Sequence, residues 1–345
     1  MQTNKHIVVQ ILFPLLRGGL YGIPVTLEKA PAAKEWEEIF DMASLQGVEA
    51  VASEGLEKLS QEQRPPQELL LQWIGVSLQQ KQLYSMQRVL VDELCGIWKE
   101  AGIDVVELKG NSIGALYYAP DTRYSCDFDC LLSDYETGNK VIESRGVEVN
   151  RDFYKNSSFH WKDLYVENHQ FCTPVRGNKQ TKQLERKLRS LLAAGTEESW
   201  ANFNALFLME HAWAHFFENA LSLKQLCDWA VLRKKKGDLI DWNTFEQYAR
   251  EVGFWGFAES MNHLADVLDG IISLEGLKQE DRRLLDDILA ENKDVSMNEG
   301  WKTRFLLFKN YFAQSWKYEL FSNHSAMYSL LRTVNGFVFD RTPRM

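Results

Sequence analysis

The sequence predicts an α+β protein, with a small β-sheet core between N-terminal helices and a C-terminal helical domain. Three observations carry that expectation. Apolar residues recur at helical spacing through most of residues 1–100, and again from Glu198 onward. Between them, across roughly residues 101–171, the period shortens to two, as in strands with one buried face. Length and composition agree. A chain of 345 residues allows about two domains, and 45% apolar with 25% charged residues is ordinary for a globular chain with a sizeable core. The expected divisions are 1–100, 101–197 and 198–345. They rest on change of pattern, because the sequence holds no repeat and no low-complexity linker.

The N-terminal region reads as helices over Ala33–Leu45 and Val48–Leu59, then a loop at Gln61–Pro66. A long amphipathic helix, or a kinked pair, covers Gln67 to Ala101. It reads as structural support and shows no chemistry. Ala101-Gly102 ends it, and Ile103–Leu108 is the first strand. A helix-like segment, Ser112–Tyr118, and a Pro120-Asp121 turn lead to a second strand, Asp127–Leu132. Ser133, with Glu136 three residues on, is a candidate capping box for a helix running to Ser144. Gly146–Val149 begins a further strand. Ser157 to Phe171 alternates on both sides of a turn at Lys162-Asp163, as a hairpin does.

On the second strand Phe128, Cys130 and Leu132 point one way, while Asp127 and Asp129 point together the other way. Two carboxylates on one strand face repel each other unless a cation lies between them, and hard divalent ions take such oxygen ligands. An isolated D-x-D is common and usually just solvated. Here a strand-Lys-Gly-x-Ser-helix unit precedes it, and a glycine turn entering a helix offers backbone N–H groups to phosphate. A phosphate cradle followed by paired acids is the layout of two-metal phosphoryl or nucleotidyl transfer.

Leu108-Lys109-Gly110, a helix ending in Tyr117-Tyr118-x-Pro120, then Arg123 and Asp127-Phe128-Asp129 resemble a bacterial uncharacterised nucleotidyltransferase family within the polymerase-β-like superfamily. The resemblance implies a nucleotidyltransferase-type mixed sheet, with Gly110 and Ser112 at the phosphate turn and Asp127 and Asp129 as metal ligands. The superfamily's adjacent Gly-Ser is here Gly110-Asn111-Ser112, a departure that touches Ser112. The third acid is expected at Glu167, since Glu167-Asn168-His169 matches the family's acid-x-His strand. Asp163 is the competitor, placed at the hairpin turn, and the absence of any third acid is the remaining alternative.

The implied cofactor is Mg²⁺ or Mn²⁺, held by Asp127, Asp129 and Glu167. The implied partners are an NTP and an unidentified acceptor, whether small molecule, protein hydroxyl or RNA end. Lys109 or Arg123 would offset charge on leaving pyrophosphate, and His169 is a further substrate-side candidate. Farther on, His211 and His215 share a helix face, and a Leu-x-x-Leu-x-Asp-Trp-Ala segment places Asp228 after them. The resemblance implies that His211, His215 and Asp228 face a cleft between the acidic sheet face and the C-terminal helices; an interhelical polar network is the alternative. A zincin site is disfavoured because Ala212, not Glu, follows His211.

A net charge of −9 argues against general nucleic-acid binding. Five cysteines without a C-x-x-C read as small apolar fillers in a reducing compartment. The apolar Ile7–Leu16 run is broken by Gln10 and Pro14 and lacks a clean cleavage site. No segment approaches the ~20 apolar residues of a membrane span. The expectation is a cytoplasmic protein. Two other classes stay in view: a catalytically silent nucleotide-binding or scaffold protein on the same fold, and a helical interaction protein with a coincidental D-x-D.

Overall fold

The computed structural model of the protein describes residues 5–123, 125–151, 154–175, 179–218, 221–290, 314–323 and 327. In chain order, a helical lead-in of Lys5–Ile7 and a π-turn at Val8–Leu12 enter α1 (Phe13–Tyr21), followed by α2 (Ala33–Leu45), α3 (Glu49–Leu56) and α4 (Gln67–Glu100). Then come β1 (Val105–Glu107), α5 (Gly110–Gly114), β2 (Asp127–Leu132), α6 (Tyr135–Glu143), β3 (Asn156–Trp161) and β4 (Leu164–His169). Helices α7 (Lys179–Ala194), α8 (Glu197–Phe217), α9 (Leu223–Lys236), α10 (Trp242–Val252), α11 (Trp255–Leu268), α12 (Gln279–Leu289) and α13 (Ser315–Phe321) follow. Phe305–Phe312, whose sequence has a helical pattern, and the apolar runs Tyr328–Val334 and Phe337–Phe339 lie outside the described residues. No helix among the described residues is long and apolar enough to cross a membrane.

The chain divides into two compact units. The first holds residues 1–172, 222–237 and 265–276; the second holds 173–221, 238–264 and 277–345. In the first unit the sheet has strand order β1-β2-β4-β3. β1 pairs antiparallel with β2, β2 runs parallel to β4, and β3 and β4 form the antiparallel hairpin. This is the expected α+β architecture with a mixed sheet. The hairpin turns at Lys162-Asp163, where Lys162 takes a positive φ of 56°.

One sheet face is the core. Phe128, Cys130, Leu132, Phe159, Leu164 and Val166 pack with Val91, Leu94 and Trp98 of α4 and Ile142 of α6. The C-terminal half of α4 is therefore the sheet's cover, and its single unbroken course resolves the one-or-two-helix question. Burying a large side chain stabilises by about 1.5–3 kcal/mol, so this cluster dominates the sheet's stability. It also fixes which face of β2 points away from the core. Behind the strands, Asn139 Oδ1 accepts from Ser157 Oγ at 2.8 Å and from Asn168 Nδ2 at 3.0 Å, all three fully buried. That network ties α6 to β3 and β4.

Three local expectations are corrected. Gly146–Val149, expected to begin a strand, forms none, and the segment pairs with the sheet through an isolated bridge of Asn150 to Ser158. The cap of α6 is Asp134, not Ser133: its carboxylate accepts from Thr137 N at 3.0 Å and Thr137 Oγ1 at 2.7 Å. Ser133 Oγ instead accepts from Asp104 N at 2.9 Å. The segment expected as a helix over Ser112–Tyr118 is one short turn, Gly110–Gly114, cut off by the approach to Pro120. Close helix contact appears elsewhere in the unit: a Cβ on Gly55 would lie 2.1 Å from Leu15 O, and one on Gly19 would lie 1.9 Å from Val51 O. Both glycines let the backbones of α1 and α3 touch.

The second unit is helical. Lys317 is buried, with its ammonium 2.6 Å from Phe216 O and 2.8 Å from Asp287 Oδ2. Asp281 accepts from Ser260 Oγ at 2.6 Å and contacts His263 Nδ1 at 2.9 Å. Asp241 caps α10, accepting from Asn243 N and Thr244 N, each at 3.1 Å.

Candidate active site

Strand register creates the site. Asp129 stands directly beside Glu167, and Asp127 beside Tyr165, across the parallel β2–β4 pair. Because side chains alternate, Asp127, Asp129, Glu167 and His169 all emerge on the face opposite the core. Asp163 lies exposed in the hairpin turn. Ligand atoms of Asp129, Glu167 and His169 fall within 4.8 Å of one another. Asp127 occupies the neighbouring rung and accepts from Ser125 Oγ at 2.6 Å. Gln87 of α4 holds the backbone there, its amide 2.8 Å from Ser125 O and 3.3 Å from Asp127 O.

Asp129 is the most constrained acid. His169 Nε2 lies 2.9 Å from its Oδ1, and Lys109 Nζ lies 2.9 Å from its Oδ2. Burial alone would raise the carboxyl's pKa. The hydrogen bond from His169 and the charge of Lys109 outweigh that and hold it at about 2. His169 also reaches Glu167 Oε2 at 3.4 Å. It is buried, and its Nδ1 has no hydrogen-bond partner among the described residues. Two carboxylates and an imidazole converging on one space form a donor set for a divalent ion, and the nitrogen suits Mn²⁺ better than Mg²⁺. The residues present fit such an ion.

Lys109 reaches Asp129 from a strained backbone, φ 40° and ψ −140°, immediately before Gly110 at φ 45°. A non-glycine residue there costs energy, and the tight turn it makes is what aims its ammonium at the acid. Ser112 Oγ donates to Lys109 O at 2.8 Å, so its proton is spent inside the turn.

Arg123 and Asp228 are brought together from 105 residues apart. Arg123 Nε donates to Asp228 Oδ1 at 2.7 Å and Nη2 to Oδ2 at 2.6 Å, with Tyr117 Oη adding a third bond to Oδ1 at 2.7 Å. Both members of the pair are buried. Asp228 sits on α9, which belongs to the same compact unit as the sheet, and so anchors the segment entering β2. His211 and His215 belong to the second unit, where their Nε2 atoms lie 2.8 Å apart and Phe207 stacks on His211.

Lys224, also on α9, carried no motif and was not singled out by sequence reasoning. The one signal was its position four residues before Asp228, on the same helix face.

A mixed sheet bearing a D-x-D strand beside an acid-x-His strand, behind a Lys-Gly turn, defines a nucleotidyltransferase-type scaffold. The chain belongs to the uncharacterised nucleotidyltransferase family, whose model matches residues 32–269, well over half its length. No curated protein and no solved structure gave a significant match.

Proposed function

We propose that the protein is a metal-dependent nucleotidyltransferase that moves an NMP from an NTP to a hydroxyl-bearing acceptor and releases pyrophosphate. The carrying observation is the convergence of Asp129, Glu167 and His169 within 4.8 Å on a sheet of this family. A bound divalent ion would supply Lewis-acid charge to the phosphate oxygens and acidify the acceptor hydroxyl, with Asp127, Asp129 and Glu167 as its carboxylates and His169 as a nitrogen donor.

The acceptor oxygen attacks the α-phosphorus. The bond from that phosphorus to the α–β bridging oxygen breaks, and pyrophosphate leaves with the electron pair. Glu167, the partly exposed carboxylate of the converged set, takes the acceptor's proton. Lys109, half-buried and already beside the acids, offsets charge on the leaving pyrophosphate. Arg123, locked by Asp228, positions the strand entrance rather than touching substrate. Gly110 keeps the turn open beside the phosphates. The five cysteines, none of them in a disulfide, fit a reducing, cytoplasmic setting.

The ion pair between Lys109 and Asp129 favours a second reading, a nucleotide-binding protein without turnover, because it already neutralises a carboxylate the reaction needs. Thermal unfolding with Mn²⁺ or Mg²⁺ and each NTP, alongside pyrophosphate release over an acceptor panel, separates the two. Transfer predicts a metal-dependent midpoint rise and turnover, both lost in Asp127→Asn/Asp129→Asn. Turnover persisting in that double variant would sink the mechanism. Binding without turnover would leave the second reading.

A further inference from the structure

The cations that the sequence nominates for substrate phosphates are largely committed elsewhere. Lys109 is paired with Asp129 at 2.9 Å, and Arg123 is held in a two-pronged grip by Asp228. Lys224 is different. It lies at the second position of α9, half-buried, and makes no hydrogen bond or ion pair with any described residue.

Three features make that placement unfavourable for the protein alone. A cation in the first turn opposes the helix dipole. Asp228, its i+4 neighbour, would ordinarily pair with it, but that carboxylate already accepts from Arg123 and Tyr117. Burial and the nearby Arg123 charge both push the lysine's pKa down, against weaker opposing pulls from Asp228, Cys126 and Asp127.

The surrounding backbone nevertheless holds it in place. Leu223 N donates to Gln46 Oε1 at 2.9 Å, and Ser222 N to Gln225 Oε1 at 3.0 Å, fixing the start of α9. The lysine's Cδ and Nζ run over Gly47, each 4.0 Å from where a Cβ would stand. Lys224 shares a helix face with Asp228 and lies within electrostatic range of Arg123, Cys126 and Asp127. The charge has no ion-pair partner among the described residues, only the through-space attraction of Glu49, Asp228 and Asp127, and it is partly desolvated.

We propose that Lys224 forms the polyphosphate subsite, receiving the β- and γ-phosphates of the nucleotide. This rests on the nucleotidyl-transfer reading above. An ammonium that is unpaired and partly dehydrated before binding gains more from a phosphate than one that must first break a salt bridge.

The test is calorimetric binding of inorganic tripolyphosphate, and of an NTP and its NMP, to the full chain as wild type, Lys224→Met and Lys224→Arg. Lys224→Met should weaken tripolyphosphate and NTP binding by about tenfold or more and leave NMP binding unchanged. Lys224→Arg should retain most of the affinity. Thermal stability of Lys224→Met should equal or exceed wild type, because no hydrogen bond or close ion pair is lost and a partly desolvated charge in the first helical turn is removed, which outweighs the lost through-space attraction of Glu49; a lysine with a structural role would show the reverse. Wild type that binds tripolyphosphate no better than Lys224→Met overturns the subsite and leaves the transferase reading standing. Wild type that binds neither tripolyphosphate nor any NTP overturns both.

Discussion

Asp228→Asn is the substitution whose outcome the structure sets most firmly. Asp228 accepts three hydrogen bonds, two from Arg123 at 2.7 and 2.6 Å and one from Tyr117 at 2.7 Å. Asparagine keeps the shape but removes the charge, and its amide turns a donor toward one of the guanidinium N–H groups. One charge-assisted bond, worth about 1.5–3 kcal/mol, is lost. Arg123 cannot relieve the mismatch by deprotonating, so a buried guanidinium is left uncompensated, and the whole change costs roughly 3–5 kcal/mol. Arg123→Met/Asp228→Asn removes the stranded charge as well. It should cost less than Asp228→Asn alone, a coupling of about 2 kcal/mol or more in a double-mutant cycle. Urea unfolding of the full chain followed by circular dichroism measures each value. A single-variant loss below about 1 kcal/mol, or additive effects in the cycle, would show that the pair is not the buried, mutually dependent clamp described above.

Other consequences follow from the same geometry. Asp129 has its pKa depressed from 3.8 to about 2, so its partners contribute roughly 2 kcal/mol of stability. A depressed carboxylate stabilises above its unfolded pKa, so the contribution is present at neutral pH and is lost as pH falls from about 4 through 2; the slope of unfolding free energy over that window should flatten in Asp129→Asn. The imidazole in the donor set predicts a larger NTP-dependent thermal shift with Mn²⁺ than with Mg²⁺, and His169→Ala should narrow that difference. Asn139→Leu strands Ser157 and Asn168 inside the protein and should cost about 2 kcal/mol or more by urea unfolding. Gly55→Ala drives a Cβ to within 2.1 Å of Leu15 O and should destabilise by about 1–3 kcal/mol; an unchanged midpoint would mean that α1 and α3 do not pack as closely as described.

Much of the site was legible in the sequence because strand alternation is a local rule. Residues two apart share a face whatever surrounds them, so Asp127 with Asp129, and Glu167 with His169, could be paired by counting. The hairpin turn at Lys162-Asp163 likewise set Asp163 apart from the strand face that Glu167 shares with His169. Capping was less legible: Ser133 and Asp134 are adjacent and both competent, and only the three-dimensional path of β1 gave Ser133 a different partner in Asp104.

Tertiary structure alone decided how charges are shared. Nothing local in the chain says that Arg123 closes on Asp228, that Lys109 closes on Asp129, or that Lys224 is left over. Electrostatic compensation acts through space and depends on burial, whereas periodicity acts along the chain. A chain read by pattern therefore reveals which side chains face the same way. Folding determines which of their charges are already spent.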